Sequence, residues 1–191
     1  MISSFPRTRI LCIGLLITGI LPLFAWQSQS EDLERLYRAP HGVHPLSGDE
    51  IMSLWDKVKA NPQPYLAHLQ ADLNLEAFQT GDKQDRARAG FAASLLGELE
   101  HPQVGAILGR YYQQVTALTP VGDPAGEVSE PIRDLVRLRR TLLEIMGKRE
   151  DGSLIKYCRN SLDREDTATR MVMRRYLRRV DPTWKPDKPQ K

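Results

Sequence analysis

The stretch DKQDRARAGFAASLLGELEHPQVGAILGRYYQQVTAL, Asp82 to Leu118, decides the fold. In its first half Ala89, Ala92, Leu95, Leu96 and Leu99 recur at spacings of three and four. In its second half Val104, Ile107, Leu108, Tyr111, Val115 and Leu118 do the same. A period near 3.6 gathers each set on one side of a helix and leaves the other side polar. His101 and Pro102 stand between them. Proline has no amide proton to give and suits a first helical turn, so this pair closes one helix and opens the next. So short a connection folds the helices back antiparallel, and one pair alone cannot bury both stripes. Neighbours are needed.

The flanking sequence carries the pattern of such neighbours. Upstream, Ser47-Gly48-Asp49-Glu50 has the S-x-x-E form of a capping box, followed by a stripe of Ile51, Leu54, Trp55 and Val58. Asn61-Pro62 divides it from a second stripe of Tyr65, Leu66, Leu69 and Leu73. Downstream, Ser129-Glu130-Pro131 opens a helix whose buried face is Ile132, Leu135, Leu138, Leu142, Ile145 and Met146. Gly147 to Ser153 breaks it, and Leu154, Tyr157, Cys158 and Leu162 mark a short partner. Asp163 to Asp166 caps a last helix with the stripe Met173, Tyr176, Leu177 and Val180, ended by Asp181-Pro182. No run of alternating β-branched residues occurs. The fold class expected is all-α.

Setting Gly97 on Gly147 places Val104 on Leu154, Ile107 on Tyr157, Leu108 on Cys158 and Tyr112 on Leu162. Arg88-Ala89-Gly90-Phe91-Ala92-Ala93-Ser94-Leu95-Leu96-Gly97 resembles the first helix of HEAT-like repeats. The offset of 50 residues exceeds the usual range of about 40–47 because of the Thr119–Ser129 loop. That resemblance implies antiparallel hairpins stacked as a short α-α superhelix over residues 47–180, a scaffold for a protein or peptide partner, and no catalytic residues. Three hairpins, Ser47–Leu73, Asp82–Leu118 and Ser129–Leu162, would bury a continuous core by stacking.

The N-terminus reads differently. Arg7 and Arg9 precede Ile10–Ala25, which carries no charge. This is the layout of a signal peptide, or of a membrane anchor in which residues 10–26 tether the chain, with Trp26 at the interface. Cleavage and retention both stay open, and either places the protein in the periplasm or outside the cell. Residues 26–46 form a polar linker, and residues 181–191 a proline- and lysine-rich flexible tail.

Charge is uneven along the chain. Glu31 to Glu100 holds 7 basic and 12 acidic side chains, while Ile132 to Val180 holds 14 basic and 7 acidic. Such a split marks an anionic partner for the basic end, or an attraction between the halves. In the last helix Arg170, Arg174 and Arg178 fall at i, i+4 and i+8, with Arg175 and Arg179 beside them. These arginines are the candidate anion-binding residues, suited to phosphates or carboxylates of an anionic membrane, wall surface or polymer; nucleic acid fits an exported chain less well. The plainer reading, which the sequence favours, is a solvated face paired with Asp163, Glu165 and Asp166.

No enzyme signature appears: no G-x-S-x-G, H-E-x-x-H, C-x-x-C or glycine-rich phosphate loop. His41 and His44 share a loop and lack a third ligand, so neither a metal nor another cofactor is expected. Cys158 sits on an apolar stripe and reads as a small buried thiol. The function expected is thus non-catalytic binding by a helical-repeat scaffold, with the arginine-rich helix as the alternative binding surface. Nothing in the sequence decides oligomeric state.

Overall fold

Hydrogen-bonded caps mark where several helices begin, whereas Ser129, expected to cap the helix that starts at Glu130, makes no side-chain cap bond. In the computed structural model, which describes residues 27–38, 46–80, 82–119 and 128–185, Ser47 and Glu50 form the reciprocal capping box of a helix over Gly48–Ala60. Asp82 accepts from the amides of Gln84 and Asp85 at 2.8 and 3.0 Å and starts Lys83–Glu98. His101 Nδ1 accepts from Gln103 N at 3.3 Å, with Pro102 in the first turn of Pro102–Leu118. Each such cap satisfies amides that a helix start leaves without an intrahelical partner.

In chain order the helices are α1 (27–38), α2 (Gly48–Ala60), α3 (Gln63–Asp72), α4 (Ala77–Thr80), α5 (Lys83–Glu98), α6 (Pro102–Leu118), α7 (Glu130–Lys148), α8 (Ile155–Ser161) and α9 (Thr167–Val180). Short 3-10 turns, Gly152–Leu154 and Leu162–Arg164, flank α8. Among the described residues there is no strand, and the all-α class holds.

The chain divides into two compact units, Met1–His68 and Leu69–Lys191, with the boundary inside α3. In the first unit Asp32 of α1 is buried and ties three helices together. It accepts from Lys57 Nζ of α2 at 2.6 Å and from Tyr65 Oη of α3 at 2.8 Å. Burial, reinforced by the Asp32 carboxylate, pushes the Tyr65 phenol well above its ordinary value. α1 lies inside the stretch read as a polar linker. Its apolar stripe is only Leu33 and Leu36, too short for a periodicity argument, yet both are buried.

In the second unit α7 is the central element. It packs against α4, α5, α6 and α9, and its contacts with α9 are the most extensive. Lys83 pairs with Glu130 at 3.5 Å, and Arg86 with Asp134 at 2.9 Å. The Arg149 guanidinium donates to the carbonyls of Gly97 and Leu99 at 3.1 and 2.7 Å. Low numbers therefore meet low numbers, and α5 and α7 run parallel. α7 and α9 do the same, from Arg140 beside Thr169 to Gly147 beside Tyr176.

The HEAT-like expectation does not survive this arrangement. A stack of equal antiparallel hairpins needs a full second arm in each pair, but α8 spans 7 residues where α6 spans 17. The expected first hairpin is split at His68 between the two units. The most extensive contact joins α7 with α9, which are not chain neighbours, and α7 also packs on α5 and α4 besides its neighbour α6. The result is a helical bundle around α7, with no repeat-scaffold architecture. Gly147 does not break a helix either; α7 passes through it and reverses at Glu150, whose φ of 56° is left-handed. The glycine serves packing, because a Cβ there would stand 3.4 Å from Tyr176 Cδ2.

The expected membrane anchor and the periplasmic or secreted location also change. The location rested on residues 10–26, which lie outside the described residues, and among the described residues no helix is long and apolar enough to cross a membrane. Neither reading is carried further. His41, His44 and the loop at 120–127 lie outside the described residues as well, as do residues 186–191 of the expected tail.

Candidate functional site

α9 reads TATRMVMRRYLRRV, with arginine as its only ionisable type apart from Tyr176. Asp166 caps it by accepting from Thr169 N at 2.9 Å, and the Asp166 carboxylate also takes the Thr169 hydroxyl. Thr169, Met173, Tyr176 and Leu177 are buried and hold the helix on the rest of the unit. Tyr176 Oη accepts from Leu154 N at 3.1 Å and donates to Asp151 O at 2.5 Å, fixing α9 against the turn that precedes α8. With that face committed, the opposite face must be solvent-facing.

Three carboxylates that flank α9 in the chain, Glu165, Asp166 and Asp181, are taken by arginines of other helices. Glu165 is fully buried, and its side chain accepts from Arg139 Nη2 of α7 at 2.6 Å and from Tyr157 Oη at 3.2 Å. Asp166 accepts from Arg140 Nη2 at 2.7 Å. At the other end, Asp181 accepts from Arg159 Nε of α8 at 2.7 Å. Burial alone would raise the Asp166 carboxyl. The Thr169 hydrogen bonds and the Arg140 guanidinium outweigh burial and hold it below the ordinary carboxylate range. Of the neutralising partners that the sequence assigned to the arginine row, Glu165 and Asp166 are thus locked elsewhere, and Asp163 is exposed and forms no ion pair among the described residues.

The arginine row itself divides. Arg170 is half-buried and donates from Nη2 to the Glu165 carbonyl at 3.0 Å, so it braces the start of α9. Arg174, Arg178 and Arg179 are exposed and form no ion pair among the described residues. Arg175 is exposed and meets Glu144 of α7 at 2.9 Å, a surface pair of small energetic weight. Beside it, Lys148, Arg175 and Arg179 share with Glu144 a recess of about 180 Å³ walled by Val172 and Tyr176. Lys148 was not singled out from sequence because it belongs to a different helix. The parallel packing of α7 on α9 brings it there.

Between α5 and α7 a cleft of about 540 Å³ interleaves Glu98, Glu100 and Glu144 with Lys148 and Arg149. Cys158 is buried, and burial, then the Glu165 carboxylate, pushes its thiol up to about 12. A thiol held protonated this way is a core residue. His101 is occupied as a cap. Among the described residues no group of three or more His, Cys, Asp or Glu stands close enough to hold a metal ion. No family model, curated protein or solved structure matches the chain.

Proposed function

We propose that this protein binds an anionic surface or polymer, without catalysis, through the exposed face of α9. The observation that carries this reading is the division of charge around that helix. Glu165, Asp166 and Asp181 are paired with Arg139, Arg140 and Arg159, while Arg174, Arg178 and Arg179 face solvent unpaired among the described residues. Guanidinium groups are weakly hydrated planar forks that match phosphate and carboxylate oxygens in pairs. Their presentation on a rigid, packed helix keeps them in register.

Binding of this kind is dominated by release of counterions and weakens steeply with salt. The test is elution of the full chain from phosphocellulose across a sodium chloride gradient. Elution should move to markedly lower salt in Arg174→Gln/Arg178→Gln. The slope of log affinity against log salt should fall by roughly one for each arginine removed. Elution unchanged in the double variant would defeat the reading.

A further inference from the structure

The arginine face carries one exposed apolar side chain, at the N-terminal end of the row. At 100° per residue, Met171 falls between Arg178 and Arg174 on one side and Arg175 and Arg179 on the other. Met171 is 58% exposed, among the few large apolar side chains in the described residues that solvent reaches to this degree. The opposite side of α9, with Met173, Tyr176 and Leu177, is buried. α9 therefore stays docked while presenting a flexible thioether in line with, and N-terminal to, four guanidinium groups.

We infer that the anionic surface engaged by α9 is a lipid bilayer rich in acidic phospholipid, an inference that rests on the function proposed above. Charge complementarity selects an anion, and Met171 selects among anions. A polyanion without apolar groups, such as polyphosphate, offers phosphates but nothing for an exposed thioether. A bilayer offers phosphates at one depth and hydrocarbon just below, so arginines at headgroup level let the side chain next to them on the same face enter the acyl boundary. Methionine suits that role because its unbranched chain adapts to a disordered medium.

The experiment is flotation of the full chain with phosphatidylcholine vesicles, with and without a phosphatidylglycerol fraction, alongside binding to soluble polyphosphate. Binding should require phosphatidylglycerol and weaken by about fivefold for each arginine removed from the face. Met171→Gln should weaken vesicle binding roughly fivefold and leave polyphosphate binding unchanged, while Met171→Leu should retain both. Polyphosphate binding without preference for phosphatidylglycerol, or a neutral Met171→Gln, overturns the bilayer inference and leaves the anion-binding reading standing. An equal loss on both probes also overturns it, since the thioether would then serve something other than hydrocarbon. If neither probe binds, both readings fall.

Discussion

Replacing Glu165 by glutamine tests the charge division on which the α9 face depends. Arg139 and Glu165 are almost wholly buried, and a single 2.6 Å contact joins Arg139 Nη2 to the carboxylate. Arg139 Nε and Nη1 are buried without a protein partner among the described residues. Glutamine keeps the shape but strands a guanidinium charge in the interior. Breaking a buried pair from one side costs about 3–5 kcal/mol, because the desolvated charge keeps none of its compensation. Against a typical domain stability of about 5–15 kcal/mol, that is a large fraction. In a unit of this size it corresponds to a fall in melting temperature of roughly 10–20 °C. The assay is urea unfolding followed by helical circular dichroism, with the slope compared to exclude a change in the unfolded state. Arg139→Met/Glu165→Leu removes both charges and should recover to within about 1 kcal/mol of the parent. Tyr157 is half-buried, so its hydroxyl can turn to water in that variant. A Glu165→Gln midpoint equal to the parent's would show the pair to be solvated and would refute the reasoning. A double variant as damaged as the single would do so too.

Two glycines of α5 should respond in opposite directions. A Cβ on Gly97 would lie 2.5 Å from Ile145 Cγ2, a stiff branched side chain on the facing helix. Gly97→Ala should therefore destabilise by about 1–2 kcal/mol, the overpacking cost less the gain in helix propensity. Nothing lies within 4 Å of a Cβ on Gly90, so Gly90→Ala should stabilise by about 0.5–1 kcal/mol; equal shifts of the two unfolding midpoints would contradict the parallel α5–α7 packing. The Asp166 carboxyl is held below its ordinary value of 3.8 in the folded state, so its contribution is full above that value and is lost as pH falls through the lower folded one. Thermal stability should decline below about pH 4 and decline less in Asp166→Asn, as a pH series of melting curves would read.

The elements were legible where periodicity ran long and where caps used side chains with a fixed hydrogen-bonding habit. α5 and α6 were readable from their stripes, the Ser47 and His101-Pro102 starts from turn chemistry, and the start of α9 from the acidic run Asp163 to Asp166, whereas the Asp82 cap of α5 came from the structure. α1 and α4 were not, since Leu33 with Leu36 and Ala77 with Phe78 are too few to set a period. The tertiary arrangement was misread for an instructive reason. Gly97 and Gly147 do correspond, but the likeness records two close approaches between parallel helices, Gly97 under Ile145 and Gly147 under Tyr176. It does not record a repeated hairpin. Arginine content identified the α9 face, whereas the partners of Glu165 and Asp166 did not follow from sequence. They come from α7, and sequence distance between Arg139 and Glu165 gives no hint that packing joins them.

The same arginines that suit α9 for binding work against its stability. Arg170 with Arg174, Arg174 with Arg178, and Arg175 with Arg179 are i, i+4 pairs of like charge. Each such pair destabilises a helix by about 0.2–0.5 kcal/mol. Arg178 and Arg179 recover part of this because cations in a last turn interact favourably with the helix dipole. Arg174 has no such compensation, for it sits mid-helix, exposed, and takes part in two of the repulsive pairs. Arg174→Gln should therefore raise stability by about 0.4–1 kcal/mol while weakening retention on phosphocellulose. A residue kept for structure would lose stability when replaced. A gain in the unfolding midpoint together with a loss of anion affinity is the pattern expected of a charge held for binding; a loss in both would assign Arg174 to the fold.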